Sequence, residues 1–107
     1  MMRAIKHDSD KPPMDLLDSH ALEQLALVLA FGAQKYARHN WRNGLQYSRL
    51  VAAAMRHLTA FNRGEDTDPE TGLPHPAHAM CCVMFLTWMM ANRPNMDDRW
   101  KAGDGEN

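Results

Sequence analysis

The chain has 107 residues, enough for one domain with a single core and too few for two. Its formal net charge of −1 argues against a general binder of polymeric nucleic acid, and no apolar run reaches the 18 residues of a membrane span. No signal-peptide-like run opens the sequence, and its two cysteines, Cys81 and Cys82, are adjacent within a helical pattern. We therefore expect a cytoplasmic protein in a reducing compartment.

Residues 1–14 are polar and contain Pro12 and Pro13, which is typical of an extended N-terminal lead-in. The domain proper is predicted over residues 15–93. Its first helix is predicted from a cap at Asp18 or Ser19 to about Tyr36, with an apolar face at helical spacing.

Residues 35–47 interrupt the helical pattern and combine aromatic with basic side chains. Tyr36 and Trp41, next to Lys35, have the chemistry needed to stack on a base while a cation neutralises phosphate. The same aromatic side chains are equally suited to anchoring a long connector to the core. The sequence leaves both interpretations open.

A second helix is predicted from a cap at Ser48 to Asn62, with Gly64 as its stop signal. His57 lies at the edge of its apolar stripe, so we expect a partly buried imidazole.

A third helix is predicted from about Pro76 to Asn92, and it is apolar on nearly all sides. Two other helices cannot cover such an element, so its outward side is expected to meet a second copy of the chain. Residues 94–107 are predicted to form a polar C-terminal tail. The predicted fold is all-α, a compact bundle of three main helices with long connecting loops, completed by dimerisation.

The charges are strongly segregated along the sequence. No acid occurs between Gln24 and Gly64, whereas four occur in the six residues from Glu65 to Glu70. The acid-free segment carries six cations: Lys35, Arg38, Arg42, Arg49, Arg56 and Arg63. This pattern suits an anionic ligand that arrives with divalent cations, since carboxylates hold the metal and cations meet phosphate. Alternatively, both regions are merely solvated and pair with each other.

The acidic loop does not match a calcium loop, because positions six and twelve from Asp66 are Thr71 and Ala77 rather than Gly and Glu. Structural zinc at His75 and His78 lacks a fourth ligand at a recognised spacing. Mg²⁺ or Mn²⁺ fits better, because hard cations take carboxylate oxygens and leave positions open for phosphate. The predicted ligands are Asp66, Asp68 and Glu70.

Several motifs together resemble the phage and bacterial domain family named for dATP/dGTP diphosphohydrolase, over about residues 11–93. The most specific are Arg56-His57-Leu58, Gly64-Glu65-Asp66-x-Asp68-x-x-Thr71-Gly72 and His75-x-x-His78-Ala79; weaker ones are Lys11-Pro12 with Leu16-Leu17, Phe31-Gly32-Ala33-x-Lys35-Tyr36 and Asn40-Trp41. The resemblance implies an all-α enzyme, related in activity to the MazG-like pyrophosphohydrolases. Such an enzyme converts a purine deoxynucleoside triphosphate to the monophosphate and pyrophosphate with a divalent metal. The chain lacks the paired Glu-x-x-Glu and Glu-x-x-Asp motifs by which MazG-like enzymes bind metal.

The leading hypothesis is thus a metal-dependent nucleoside triphosphate pyrophosphohydrolase, expected to be a dimer or larger. His57, His78 and Glu65 are the predicted catalytic residues. The predicted substrate contacts are Lys35, Tyr36, Asn40, Trp41, Arg56 and His75. A second hypothesis is a module that binds and sequesters a nucleotide or a nucleotide-derived signal without turnover. A third is a helical interaction protein in which the third helix serves assembly.

Overall fold

A computed structural model describes residues 2–103 and is all-α, as predicted. Three long helices form the domain: α1 (Ser19–Tyr36), α2 (Tyr47–Asn62) and α3 (His75–Asn92). Within the described residues there is no strand, only an isolated antiparallel bridge between Thr67 and Pro74. Residues 104–107 of the predicted polar tail lie outside the described residues.

The starts of α1 and α2 differ in how they are capped. Asp18 caps α1 as predicted, its carboxylate accepting a hydrogen bond from the Ala21 backbone N–H at 2.8 Å. The prediction that Ser48 caps α2 is wrong, because the helix begins one residue earlier, at Tyr47. The Ser48 backbone N–H and hydroxyl both donate to the carboxylate of Asp98, which follows α3 in the sequence. A distant carboxylate thus stabilises the N-terminus of α2 in place of a local cap.

The central element is α3, which packs against both α1 and α2. On the α2 side, Met89 is fully buried against Tyr47 and Leu50. On the α1 side, Ala77 and Cys81 pack against Val28. Small residues at these positions let the helices approach closely.

One face of α3 remains uncovered. Val83 is 54% exposed and Met90, seven residues later on the same face, is 67% exposed. The prediction that two neighbouring helices leave part of α3 open is confirmed. None of the helices in residues 2–103 is long and apolar enough to cross a membrane.

Candidate metal centre and adjoining groove

The acidic loop between α2 and α3 folds back on itself through main-chain hydrogen bonds. The Asp68 N–H donates to the Leu73 carbonyl at 2.9 Å, and the Gly72 N–H donates to the Asp68 carbonyl at 2.7 Å. Gly72 has a φ of 72°, a conformation that favours glycine. The Asp66 carbonyl accepts from the His75 N–H at 3.0 Å, which joins the loop to the first turn of α3. This folding brings Asp68 next to histidines of both helices.

Three groups able to bind a metal converge where α2, the loop and α3 meet. The Nδ1 atoms of His57 and His75 are 2.9 Å apart, and the Oδ2 atom of Asp68 is 4.0 Å from Nδ1 of His57. One donor atom from each side chain lies within 4.8 Å of the others. We call His57, Asp68 and His75 the donor cluster. Its two aromatic members come from opposite ends of a long loop.

The side chain of His75 is fixed on both nitrogens. The residue is only 4% exposed, and its Nε2 atom lies 2.6 Å from Oε1 of Glu65. When the Nε2–H group donates a hydrogen bond to that carboxylate, Nδ1 is unprotonated and its lone pair faces His57. A carboxylate behind a histidine in this way is the usual second layer of a metal site, because it sets the tautomer and raises the basicity of the ligand.

Hydrogen bonds to one carboxylate oxygen hold the side chain of Asp68 in place. Oδ1 accepts from the backbone N–H groups of Glu70 at 2.8 Å and Thr71 at 3.1 Å, which leaves Oδ2 facing His57. Partial burial alone would raise the pKa of Asp68, but these two N–H donors and the adjacent histidines outweigh it and lower the pKa below its usual value. Asp68 is therefore ionised and oriented at neutral pH.

His78 lies directly over His57. The two rings are parallel within 7°, with their centroids 4.5 Å apart. Partial burial lowers the pKa of each imidazole, and the proximity of His78 lowers that of His57 further. Both rings are neutral at pH 7, the form required of a metal ligand or a general base.

Thr71 supports His78 from the loop. Its hydroxyl oxygen is 2.7 Å from Nε2 of His78 and accepts from the Leu73 N–H at 3.2 Å. The short contact holds one nitrogen of His78 and leaves Nδ1 without a hydrogen bond from the described residues.

The donor cluster fits a divalent transition metal. Two ligands at right angles and about 2.1 Å from one ion are about 3 Å apart, which matches the separation of the two Nδ1 atoms. Two imidazoles and one carboxylate form a set that Mn²⁺, Fe²⁺ or Zn²⁺ accepts more readily than Mg²⁺, which prefers oxygen ligands. In the absence of an ion the same 2.9 Å separation allows one ring to donate a hydrogen bond to the other.

A groove of about 850 Å³ adjoins the donor cluster and runs between α1, the connector that follows it and α3. His57 and His78 line it, and so does Phe85, which lies about 10 Å further along α3 than His78. No acidic side chain of the described residues lines this groove, whereas three arginines do: Arg38, Arg42 and Arg49. We call it the basic groove.

The other predicted metal ligands lie outside the donor cluster. Asp66 contributes its main-chain carbonyl to positioning His75, and its side chain is exposed. Glu70 is exposed and forms an ion pair with Lys35, with 3.5 Å between Oε1 and Nζ. The structure thus gathers one of the three predicted loop ligands, Asp68. It combines Asp68 with His57, predicted to ligate the metal or move protons, and with His75, predicted to contact substrate.

The predicted substrate residues are also distributed unevenly. Tyr36 and Asn40 line the basic groove, whereas Lys35 and the exposed Arg56 do not. Trp41 lines the groove too, but its ring is stacked on Phe85 with 4.5 Å between centroids and meets Trp88 edge-on at 5.0 Å. These contacts support the interpretation of Trp41 as an anchor of the connector.

Sequence reasoning missed the site roles of Thr71 and Arg49. Thr71 belongs to the Asp68-x-x-Thr71-Gly72 motif, so the motif was a usable signal for it. Arg49 had no comparable signal, because one arginine on a helix face cannot be told from its solvated neighbours without the groove.

Fold and site together define an all-α protein in which two histidines and a carboxylate that could hold a metal ion lie beside a basic groove. A family model described as dATP/dGTP diphosphohydrolase, N-terminal, matches residues 3–99, and the chain belongs to that family. A protein of Salmonella phage PMBT28 named dATP/dGTP diphosphohydrolase is 47% identical over 102 residues, which cover 94% of this chain. The chain spans only 35% of the length of that relative. No solved structure shows a significant match.

Proposed function

We propose that this domain hydrolyses a purine deoxynucleoside triphosphate to the monophosphate and pyrophosphate with the help of a divalent metal. The observation that carries the proposal is the convergence of His57, His75 and Asp68, with a 2.9 Å separation of two ring nitrogens, beside a groove lined by arginines. Membership of the family and the name of the phage relative support the choice of nucleotide. A hydrolase acting on nucleotides is the part of the proposal that the family membership supports directly.

The donor cluster would hold the ion. When bound there, the ion would supply positive charge to the phosphate oxygens and lower the pKa of a water. Imidazole donors favour Mn²⁺ over Mg²⁺, although both were expected from the sequence. Glu65 would keep the proton of His75 on Nε2 and its lone pair on Nδ1.

His78 is the residue suited to move the proton. In the tautomer required of a base, Nε2 donates to the Thr71 hydroxyl and Nδ1 carries the lone pair. Its lowered pKa keeps that lone pair available at pH 7. Nδ1 would accept a proton from the attacking water, whose oxygen forms the new bond to the α-phosphorus. The bond from the α-phosphorus to the bridging oxygen breaks, and the electron pair leaves with pyrophosphate.

Product identity is the test of this reaction. The protein would be incubated with dGTP or dATP and Mn²⁺, and the products resolved by anion-exchange chromatography and phosphorus NMR. We expect the deoxynucleoside monophosphate and pyrophosphate in one step. The diphosphate with inorganic phosphate would place the attack at the γ-phosphorus and refute the mechanism.

A second candidate function is nucleotide binding without turnover. Two observations favour it: the chain spans 35% of the relative's length, and it lacks the acidic pairs of MazG-like enzymes. In that case the domain would raise its melting temperature with dGTP or dATP and form no product across a panel of metals.

A further inference from the structure

Two arginines of the basic groove have no hydrogen-bond or ion-pair partner for their side chains among the described residues. Arg38 and Arg49 line the groove, and within residues 2–103 neither guanidinium group forms a hydrogen bond or an ion pair. An arginine supplies up to five N–H donors and stays charged at all relevant pH values. Two such groups beside one concave surface, with no acid lining it, form an environment that favours an anion.

Two other cations of this region, Arg42 and Lys35, are already engaged. Arg42 donates from Nε to Nδ1 of His39 at 3.0 Å, and its guanidinium carbon lies 4.3 Å from the Trp41 ring centroid. Lys35 is paired with Glu70 and lies 5.4 Å from the ring centroid of Tyr36. These contacts assign Arg42 and Lys35 to holding the connector and leave Arg38 and Arg49 available.

The backbone on both sides of Arg38 is strained. Ala37 has φ 94° and ψ 152°, a region used almost only by glycine, and His39 has a left-handed φ of 63°. Such conformations cost free energy and occur preferentially where a protein positions a functional group. Here the conformations of Ala37 and His39 set the position of Arg38.

Distance along α2 relates Arg49 to the donor cluster. Arg49 precedes His57 by eight residues of α2, a rise of about 12 Å. An extended arginine side chain and a triphosphate chain together bridge such a span. A nucleotide with its α-phosphorus at the donor cluster would then direct its outer phosphates toward the connector.

We propose that Arg38 and Arg49 bind the β- and γ-phosphates of the nucleotide, in place of the Lys35 and Arg56 predicted from the sequence. The assignment rests on the proposed function for the nature of the ligand. It specifies the orientation of the substrate, with the leaving pyrophosphate held by arginines that do not contact the metal ligands.

Binding of inorganic tripolyphosphate tests the assignment without any reaction. Calorimetric titrations would be made on the whole chain in EDTA, for the parent, Arg38→Gln and Arg49→Gln. Arg63→Gln is the matched control, because Arg63 is an exposed arginine directly after α2 and does not line the groove. We expect each groove variant to weaken binding by about tenfold or more, as charge-assisted hydrogen bonds are lost, and the control by less than about threefold.

The position of the phosphates is tested with nucleotides. For a dGTP analogue with a methylene bridge between the α- and β-phosphorus, the same two variants should lose about tenfold in affinity. Binding of dGMP should be unchanged. Equal losses for dGMP and the triphosphate analogue would overturn the assignment to the outer phosphates, as would an equal loss in Arg63→Gln.

The two proposals fail in different ways. If the parent binds tripolyphosphate through Arg38 and Arg49 but releases no pyrophosphate from dGTP, the phosphate subsite is supported and the proposed reaction is disproved. If the parent releases pyrophosphate but both variants bind tripolyphosphate as tightly as the parent, the proposed reaction is supported and the phosphate subsite is disproved. Circular dichroism of each variant should match the parent, since neither guanidinium group forms a hydrogen bond or an ion pair within residues 2–103.

Discussion

The Nδ1 atoms of His57 and His75 lie 2.9 Å apart, although 18 positions separate the two residues and they belong to different helices. Only a lone pair and a proton, or a shared metal ion, make so close an approach of two ring nitrogens favourable. The contact couples the end of α2 to the start of α3.

Mn²⁺ should stabilise the protein against unfolding through the donor cluster. At one hundred times the dissociation constant, the free energy of unfolding should rise by about 2.7 kcal/mol, measured by thermal denaturation. Asp68→Asn should abolish the rise, because it removes the charged ligand, and Glu65→Gln should weaken Mn²⁺ binding about ten- to a hundredfold. Asp66→Asn is the control and should behave like the parent. Loss of the shift in Asp66→Asn alone would contradict the assignment.

His78→Ala should lower turnover of dGTP by about a hundredfold or more, as expected for a lost general base. Thr71→Val should lower it less, because the imidazole remains but loses the hydrogen bond to Nε2. The measurement is initial rate of pyrophosphate release at saturating dGTP. His20→Ala, at an exposed position of α1, is the control. Full activity of His78→Ala would remove this residue from the reaction.

Stability in EDTA should decrease as the pH is lowered from 7.5 to 5. Burial lowers the pKa of His57 and His78 in the folded state below the ordinary value of 6.5, so the unfolded chain binds more protons in this range. The stabilising contribution is fully present above pH 6.5 and is lost as the pH falls through the folded-state values. His78→Gln should flatten the dependence of melting temperature on pH, whereas His20→Gln should not. A parent whose melting temperature rises on acidification in this range would contradict the shift.

Ala37→Gly should stabilise the fold. Ala37 adopts φ 94° and ψ 152°, which glycine tolerates without steric strain. The strain relieved in the folded state stabilises the protein by more than the extra conformational entropy of glycine in the unfolded chain destabilises it. We therefore expect the free energy of unfolding to rise by about 1 kcal/mol. Ala30→Gly, at an exposed site within α1, should instead lose about 1 kcal/mol. Chemical denaturation measures both, and equal losses would show that residue 37 is unstrained.

Self-association through the open face of α3 stays a prediction. In sedimentation at micromolar concentration we expect a dimer or larger species, since Val83 and Met90 together expose an apolar strip. Val83→Lys with Met90→Lys should shift the protein to monomer. Leu16→Lys, at a site that is 79% exposed before α1, should leave the oligomer intact. A monomeric parent would refute the prediction.

The all-α fold and most helix bounds were predictable from the sequence. Local signals decide these features: a cap at Asp18, a stop at Gly64 and apolar periodicity act within a few residues. The same kind of reasoning failed at Ser48, because its partner, Asp98, is 50 residues away. A cap supplied from a distant segment leaves no pattern near the helix that it stabilises.

The sequence by itself also indicated the candidate site, since the histidines and acids from His57 to His78 occupy one helix-loop-helix unit. Which of them meet was decided by the tertiary structure. Hydrogen bonds between Asp66 and His75 and within the loop orient Asp68 inward and leave Glu70 outside to pair with Lys35. Residue type and spacing identify groups able to bind a metal or a phosphate. Only the packing of α3 against its neighbours determines which donor atoms lie a few ångströms apart, because that separation depends on contacts between segments distant in the chain.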